Sequence, residues 1–209
     1  MRSRQPVATF AIAGITAVVS TLISLAGAVE RAAMLVGFVP ARVIGQLHVS
    51  PAVPVLLTPL TTTLVHGGSV HLVFNLLVLL FCGVQVERVL GAGPTVLLYV
   101  VGAYVSAASQ FLATTDPYVP MIGASGAISA LVGAYALIFG QIRRVVSSPG
   151  LNRAIHVAWL AVAWAAIQWM TGYVAGEEGV QLAVAAHVGG FLVGLALERP
   201  LLLWRYRRA

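Results

Sequence analysis

The chain has 209 residues, 59% of them hydrophobic and only 9% charged, with a net charge of +6. A soluble domain carries about 25% charged residues, so this composition excludes an ordinary water-soluble fold and points to the membrane. The basic residues are all arginine and lie scattered among apolar runs, with no aromatic-studded basic face; that argues against a nucleic-acid partner and fits a membrane orientation signal.

The N-terminal stretch MRSRQPVATFAIAGITAVVSTLISLAGAVE pairs a basic start with about 20 apolar residues, longer than a signal-peptide core, and predicts a retained spanning helix near 7–28. Residues 29–69 are also apolar but are broken by Pro40, Pro51, Pro54 and Pro59, so no straight helix crosses there. An interfacial first outer loop is expected, its backbone satisfied against protein or water. Further runs near 70–90, 93–113, 122–141, 154–175 and 182–204 are each long enough to cross roughly 30 Å of hydrocarbon as helix. Ser69 is the expected N-cap of the second run. Turn-forming stretches at Gly91–Pro94, Thr114–Pro117, Ser147–Gly150 and Gly176–Gly179 separate the others. Cys82 is the lone cysteine, inside an apolar run, and is read as core filler. No Cys/His cluster has zinc spacing, so neither a metal nor a cofactor is expected. The fold class is thus an all-α membrane protein, a single domain over residues 1–209 with six spans.

With the N-terminus in the cytoplasm, Arg2, Arg4, Arg88, Arg143, Arg144, Arg153, Arg199, Arg205, Arg207 and Arg208 all fall inside. Only Arg31 and Arg42 fall outside, together with Glu30, Asp116, Glu177 and Glu178. That asymmetry supports an even number of spans with both termini cytoplasmic.

Ionisable and amide side chains at membrane depth are costly, and function is their default reading. His66, His71, Asn75 and His187 stand out. His71 and Asn75 are four apart and share a helix face. Under the proposed orientation these residues and Ser125 come from three helices yet lie near the same outer surface. Any one of them alone reads equally well as glue between helices. Gly123, Gly126, Ala130, Gly190 and Gly194 are small residues of the kind that packs membrane helices closely, which Ser125 needs if it is to reach His187. His48 and His156 are read as interfacial, and Glu87 as a partner for backbone donors or for Arg88. A soluble hydrolase elbow would require G-x-S-x-G; Ala127 breaks it.

Together these residues resemble the rhomboid intramembrane serine proteases. The match runs over residues 58–196: His66, His71 and Asn75 in H-x4-H-x3-N, then Gly83 and Glu87, then G-x-S-G at Gly123–Gly126, then Ala186, His187, Gly190 and Gly194 in A-H-x-x-G-x-x-x-G. G-x-S-G alone is weak, but all elements in this order within six spans are specific. The resemblance implies a six-helix rhomboid-like bundle and a Ser-His dyad without a third acid, with Ser125 as nucleophile and His187 as base. It also implies an oxyanion hole from His71, Asn75 and the Ser125 N–H, supported by His66, Gly123, Gly126 and Gly190. Substrates would be single-span membrane proteins, cut near the outer face of a lipid bilayer, expected to be the bacterial inner membrane. Two features depart from the family. Residues 52–60 read AVPVLLTPL, without the Trp-Arg pair of the first outer loop, and Ser129 stands where an aromatic often stacks on the histidine. The alternative is a catalytically weak or inactive relative that binds or chaperones membrane proteins. A transporter fits less well, since no carboxylate sits mid-span and no inverted repeat is visible.

Overall fold

The computed structural model describes residues 5–177 and 182–207. Arg2, Arg4, Glu178 and Arg208, used in the charge argument, and Gly179, used as turn punctuation, lie outside them. The described chain is helical, and its single bridge of strand type joins Phe38 to Met121. In order, α1 is Val7–Leu25, α2 Val29–Val36, α3 Pro40–Val43, α4 Thr58–Thr61 and α5 Ser69–Val78. A π-helical turn, Leu79–Gly83, joins α5 to α6, Val84–Leu90, as one span. There follow α7 Ala92–Ala113, α8 Ser125–Phe139, α9 Pro149–Glu177 and α10 Val184–Tyr206.

Five of these spans are long and apolar enough to cross a membrane. The exception is α8, whose 15 residues rise only about 22 Å against roughly 30 Å of hydrocarbon. The stretch expected as a span at 122–141 is shortened because Gly123 has φ +107°, which keeps the chain non-helical up to Ala124. The first residue of this short helix is Ser125.

Burial explains the arrangement. Nine of the twelve residues of α8 from Gly126 to Leu137 are buried, so α8 is the axis of the bundle. Its neighbours come close because side chains are missing where they cross: a Cβ on Gly102 would sit 2.7 Å from the Ala130 Cβ, and one on Gly190 would run into the Gly126 carbonyl. Helix α1 buries Thr9, Ala13, Thr16 and Ser20, a single face at helical spacing. Its N-terminus is held by Glu87, whose carboxylate accepts hydrogen bonds from the Ala8 N–H at 3.0 Å and from the Thr9 N–H and hydroxyl at 2.7 Å. An anion there satisfies orphan helix donors and complements the dipole. Arg88 instead donates to Gln85.

Helix α9 is the peripheral one, with Trp159, Val162, Ile167 and Met170 exposed as on a lipid-facing surface. It is tied to α10 by the Arg153–Glu198 ion pair at 2.6 Å and by the Trp164 ring stacked on Phe191 at 4.8 Å.

The proline-rich segment folds into α2 to α4 and short 3-10 turns, with Pro40 and Pro59 in the first turns of α3 and α4. Arg42 pins it, donating to the Val53 carbonyl at 2.6 Å and, at 3.5 Å, to those of Met34 and Leu35. A guanidinium can bridge several carbonyls at once because its donors fan out in one plane. The expected cap on α5 differs: Gly68 is the capping residue, Ser69 is the first helical residue, and no side-chain cap bond forms.

Candidate active site

The N-terminal ends of α5, α8 and α10 meet at one end of the bundle, beside a cavity of about 1290 Å³. His71, Asn75, Ser125, Gln168 and His187 all line it. The Ser125 hydroxyl lies 2.7 Å from Nε2 of His187. On the far side of that ring, Nδ1 lies 2.7 Å from Oε1 of Gln168, a 9%-exposed amide on α9. An amide oxygen can only accept, so Nδ1 carries the proton and the Nε2 lone pair faces the serine. Trp164 Nε1 also donates to the His187 carbonyl at 3.2 Å.

Gly123 explains how the serine is presented. A Cβ there would be strained at φ +107° and would sit 2.8 Å from Nε2 of His71 and 3.7 Å from the Ser125 hydroxyl. His71 and Ser125 therefore flank the same point. The Gly67 N–H donates to Nδ1 of His71 at 3.3 Å, which leaves His71 Nε2 as the protonated nitrogen, turned toward that point. Ser125 opens α8, so its N–H has no intrahelical acceptor. Asn75 is buried; its amide donates to the His71 carbonyl at 2.9 Å, and its Oδ1 has no partner.

His66 sits behind the cavity. Nε2 accepts from the Ala124 N–H at 3.4 Å, Nδ1 donates to Ser20 at 2.8 Å, and Ser20 donates to the Leu64 carbonyl at 2.8 Å. That relay ties α1 to the residue before Ser125. Burial above all, and then the neighbouring His71, pushes the His66 pKa down to about 4, so the neutral ring required by the relay is favoured. The turn itself is held from outside: the Gly123 N–H donates to the Thr62 carbonyl at 3.1 Å, the Thr62 hydroxyl donates to the Met121 carbonyl, and Phe38 and Met121 exchange backbone hydrogen bonds. Gly126 packs on Ser106 of α7, and Gly190 packs on Gly126. His48 is exposed in the loop, while His156 lies against Gly140, away from the cavity.

Sequence reasoning missed Gln168, Ser20, Thr62 and Arg42. Gln168 had a usable signal, being an amide in the middle of an apolar run, the criterion that singled out Asn75.

The Rhomboid domain family profile matches residues 55–204. The chain is 31% identical over 136 residues to Rhomboid protease GlpG of Pectobacterium atrosepticum, covering 64% of this chain and 44% of that protein. It is 31% identical over 146 residues to Rhomboid protease GluP of Bacillus subtilis (69% and 26%), and 27% identical over 135 residues to Rhomboid-related protein 2 of Mus musculus (64% and 44%). The matched region thus spans less than half the length of each of these relatives. With the profile running from the short turn before α4 into the last helix, and with spanning helices around a shared cavity, the chain belongs to the rhomboid family of multi-pass integral membrane proteins.

Proposed function

We propose that this chain is a serine-type intramembrane endopeptidase that cleaves single-span membrane proteins near the outer face of the bilayer. The observation that carries the reading is the 2.7 Å contact between Ser125 and a correctly oriented His187 at the wall of a cavity. Serine must give up its proton as it attacks, and a positioned imidazole takes it. The Ser125 oxygen bonds to the scissile carbonyl carbon, the carbonyl π pair moves onto oxygen, and the Ser125 proton passes to His187 Nε2. His187 then returns that proton to the leaving amine as the C–N bond breaks. Water, activated by the same imidazole, hydrolyses the acyl-enzyme and restores the serine. The oxyanion would be met by His71 Nε2–H, the Ser125 N–H and the Asn75 amide, each worth about 2.7–4 kcal/mol in a low-dielectric site.

A helical substrate hides its carbonyls in internal hydrogen bonds, so it must unwind to reach the serine. Substrates with Gly, Pro or small polar residues near the outer face should therefore be preferred. Cytoplasmic termini, supported by the arginine distribution, and a bacterial inner membrane, supported by the compact six-span plan and the arginine-only basic composition, are part of the same proposal.

The test is fluorophosphonate labelling of detergent-solubilised protein, alongside co-expression with a panel of tagged single-span proteins. Labelling and cleavage should vanish in Ser125→Ala and fall sharply in His187→Ala. Partner capture that survives both changes, without labelling of the wild type, would establish a binding protein instead.

A further inference from the structure

We propose that Gln168 is a positioning residue for the histidine base, supplied by the most loosely packed helix of the bundle; this rests on the hydrolase reading above. His187 is partly exposed to the cavity, and among the described residues no aromatic ring pairs with it. Ser129, one turn below the nucleophile, spends its hydroxyl on the Ser125 carbonyl at 2.8 Å. Among the described residues, the side-chain hydrogen bonds of the imidazole are thus with the serine at one nitrogen and with the Gln168 carbonyl at the other, both at 2.7 Å.

Geometry and chemistry give Gln168 two tasks. With Oε1 turned to the ring, Gln168 accepts from Nδ1–H, which matches the tautomer that leaves Nε2 free to receive the serine proton. When that proton arrives, the imidazolium keeps its Nδ1–H on the same oxygen, and no further proton moves. The amide stays neutral throughout, which avoids placing a fixed carboxylate in the membrane. Gln168 is itself held by position: Trp164, one turn earlier on α9, stacks on Phe191 of α10 and bonds the His187 carbonyl. Gly172, one turn later, packs against Val184. Three successive turns of α9 therefore face the helix that carries the base.

The experiment compares wild type, Ser125→Ala, Gln168→Met and Gln168→Glu for kcat, KM and thermal unfolding in one detergent. Met keeps the length and removes the acceptor; Glu keeps an acceptor. General acid–base catalysis by a positioned side chain contributes about 10²–10⁴-fold, and a partly misoriented imidazole should forfeit about 10–100-fold of it. The expected result is a kcat lower by about that factor in Gln168→Met, with KM within roughly twofold, unfolding near that of wild type, and most of the loss recovered in Gln168→Glu. An active wild type beside an unimpaired Gln168→Met overturns the inference alone. So does a loss in Gln168→Met that tracks unfolding and is not recovered by Glu. A wild type no better than Ser125→Ala overturns the hydrolase reading and this inference with it.

Discussion

Gly126→Ala tests whether helix spacing sets the contact between Ser125 and His187. A Cβ at Gly126 would lie 2.6 Å from the Ser106 Cβ and 2.7 Å from its hydroxyl, while Ala186 of α10 stands at 3.7 Å. Ordinary contact begins at 3.4 Å, so α8 and α7 must part by about 0.8 Å. Rotating Ser106 cannot relieve this, because its own Cβ is the obstacle. Gly126 directly follows Ser125, so the serine moves with it. A misplacement of about 1 Å can cost 10²-fold in rate, and overpacking a core costs about 1–3 kcal/mol. We expect kcat to fall by about 10–100-fold, with a lower unfolding temperature. The second change Ser106→Gly removes the obstacle, and it costs little in hydrogen bonding because the Ser106 hydroxyl is buried without a partner. The double variant should regain most of the lost rate. Gly14→Ala, with nothing within 4 Å of its Cβ, serves as the silent control. Initial rates on a tagged single-span substrate, with thermal unfolding in parallel, decide the matter. Wild-type kinetics in Gly126→Ala, or no recovery in the double variant, would refute the reasoning.

Three further outcomes follow from the same geometry. Glu87→Gln should lower the unfolding temperature, because a carboxylate accepting three hydrogen bonds is replaced by an amide that must turn N–H toward N–H; the loss is about 1.5–3 kcal/mol, and an unchanged melting curve would contradict it. His66 has a folded pKa of about 4 against 6.5 in the unfolded chain, so the unfolded chain takes up the proton first and stability falls as pH drops from 6.5 to 4. In His66→Gln the fall in melting temperature between pH 7 and pH 4.5 should be smaller than in wild type; an equal fall assigns the acid sensitivity elsewhere. Asn75→Ala should cut kcat by about 10²–10³ with little change in KM, measured on the same substrate, and a pure KM effect would remove Asn75 from the oxyanion hole.

Much of the fold was legible because its signals are one-dimensional. Hydropathy located the apolar runs, and four prolines announced that 29–69 could not be a straight helix. Ser125, His187, His71 and Asn75 were legible as polar residues at one depth. The unread features depend on distance across the bundle. Nothing local in Arg42 says that it will bind the carbonyls of Met34, Leu35 and Val53, and nothing in Ser20 says that it will meet His66 from 46 positions away. The shortening of α8 came from the positive φ of Gly123, where hydropathy alone sees a continuous run.

The three histidines share one device. In His66 the acceptor nitrogen is fixed by the Ala124 N–H, in His71 by the Gly67 N–H, and in His187 the donor nitrogen is fixed by Gln168. Each ring is thereby given a direction as well as a place: His66 points a lone pair at the backbone beside Ser125, His71 turns a donor toward that serine, and His187 turns a lone pair at its hydroxyl. A neutral imidazole is suited to this, since it offers one donor and one acceptor without the cost of a buried charge. Two of the three fixing groups are backbone N–H groups of loop or turn residues, so the loop from Phe38 to Gly68 and the turn at Gly123 have to be rigid for the tautomers to hold. The carbonyl contacts of Arg42 and the hydrogen bonds between Thr62 and the turn at Met121 and Gly123 hold these segments, which makes a loop far from the serine in sequence part of what orients it.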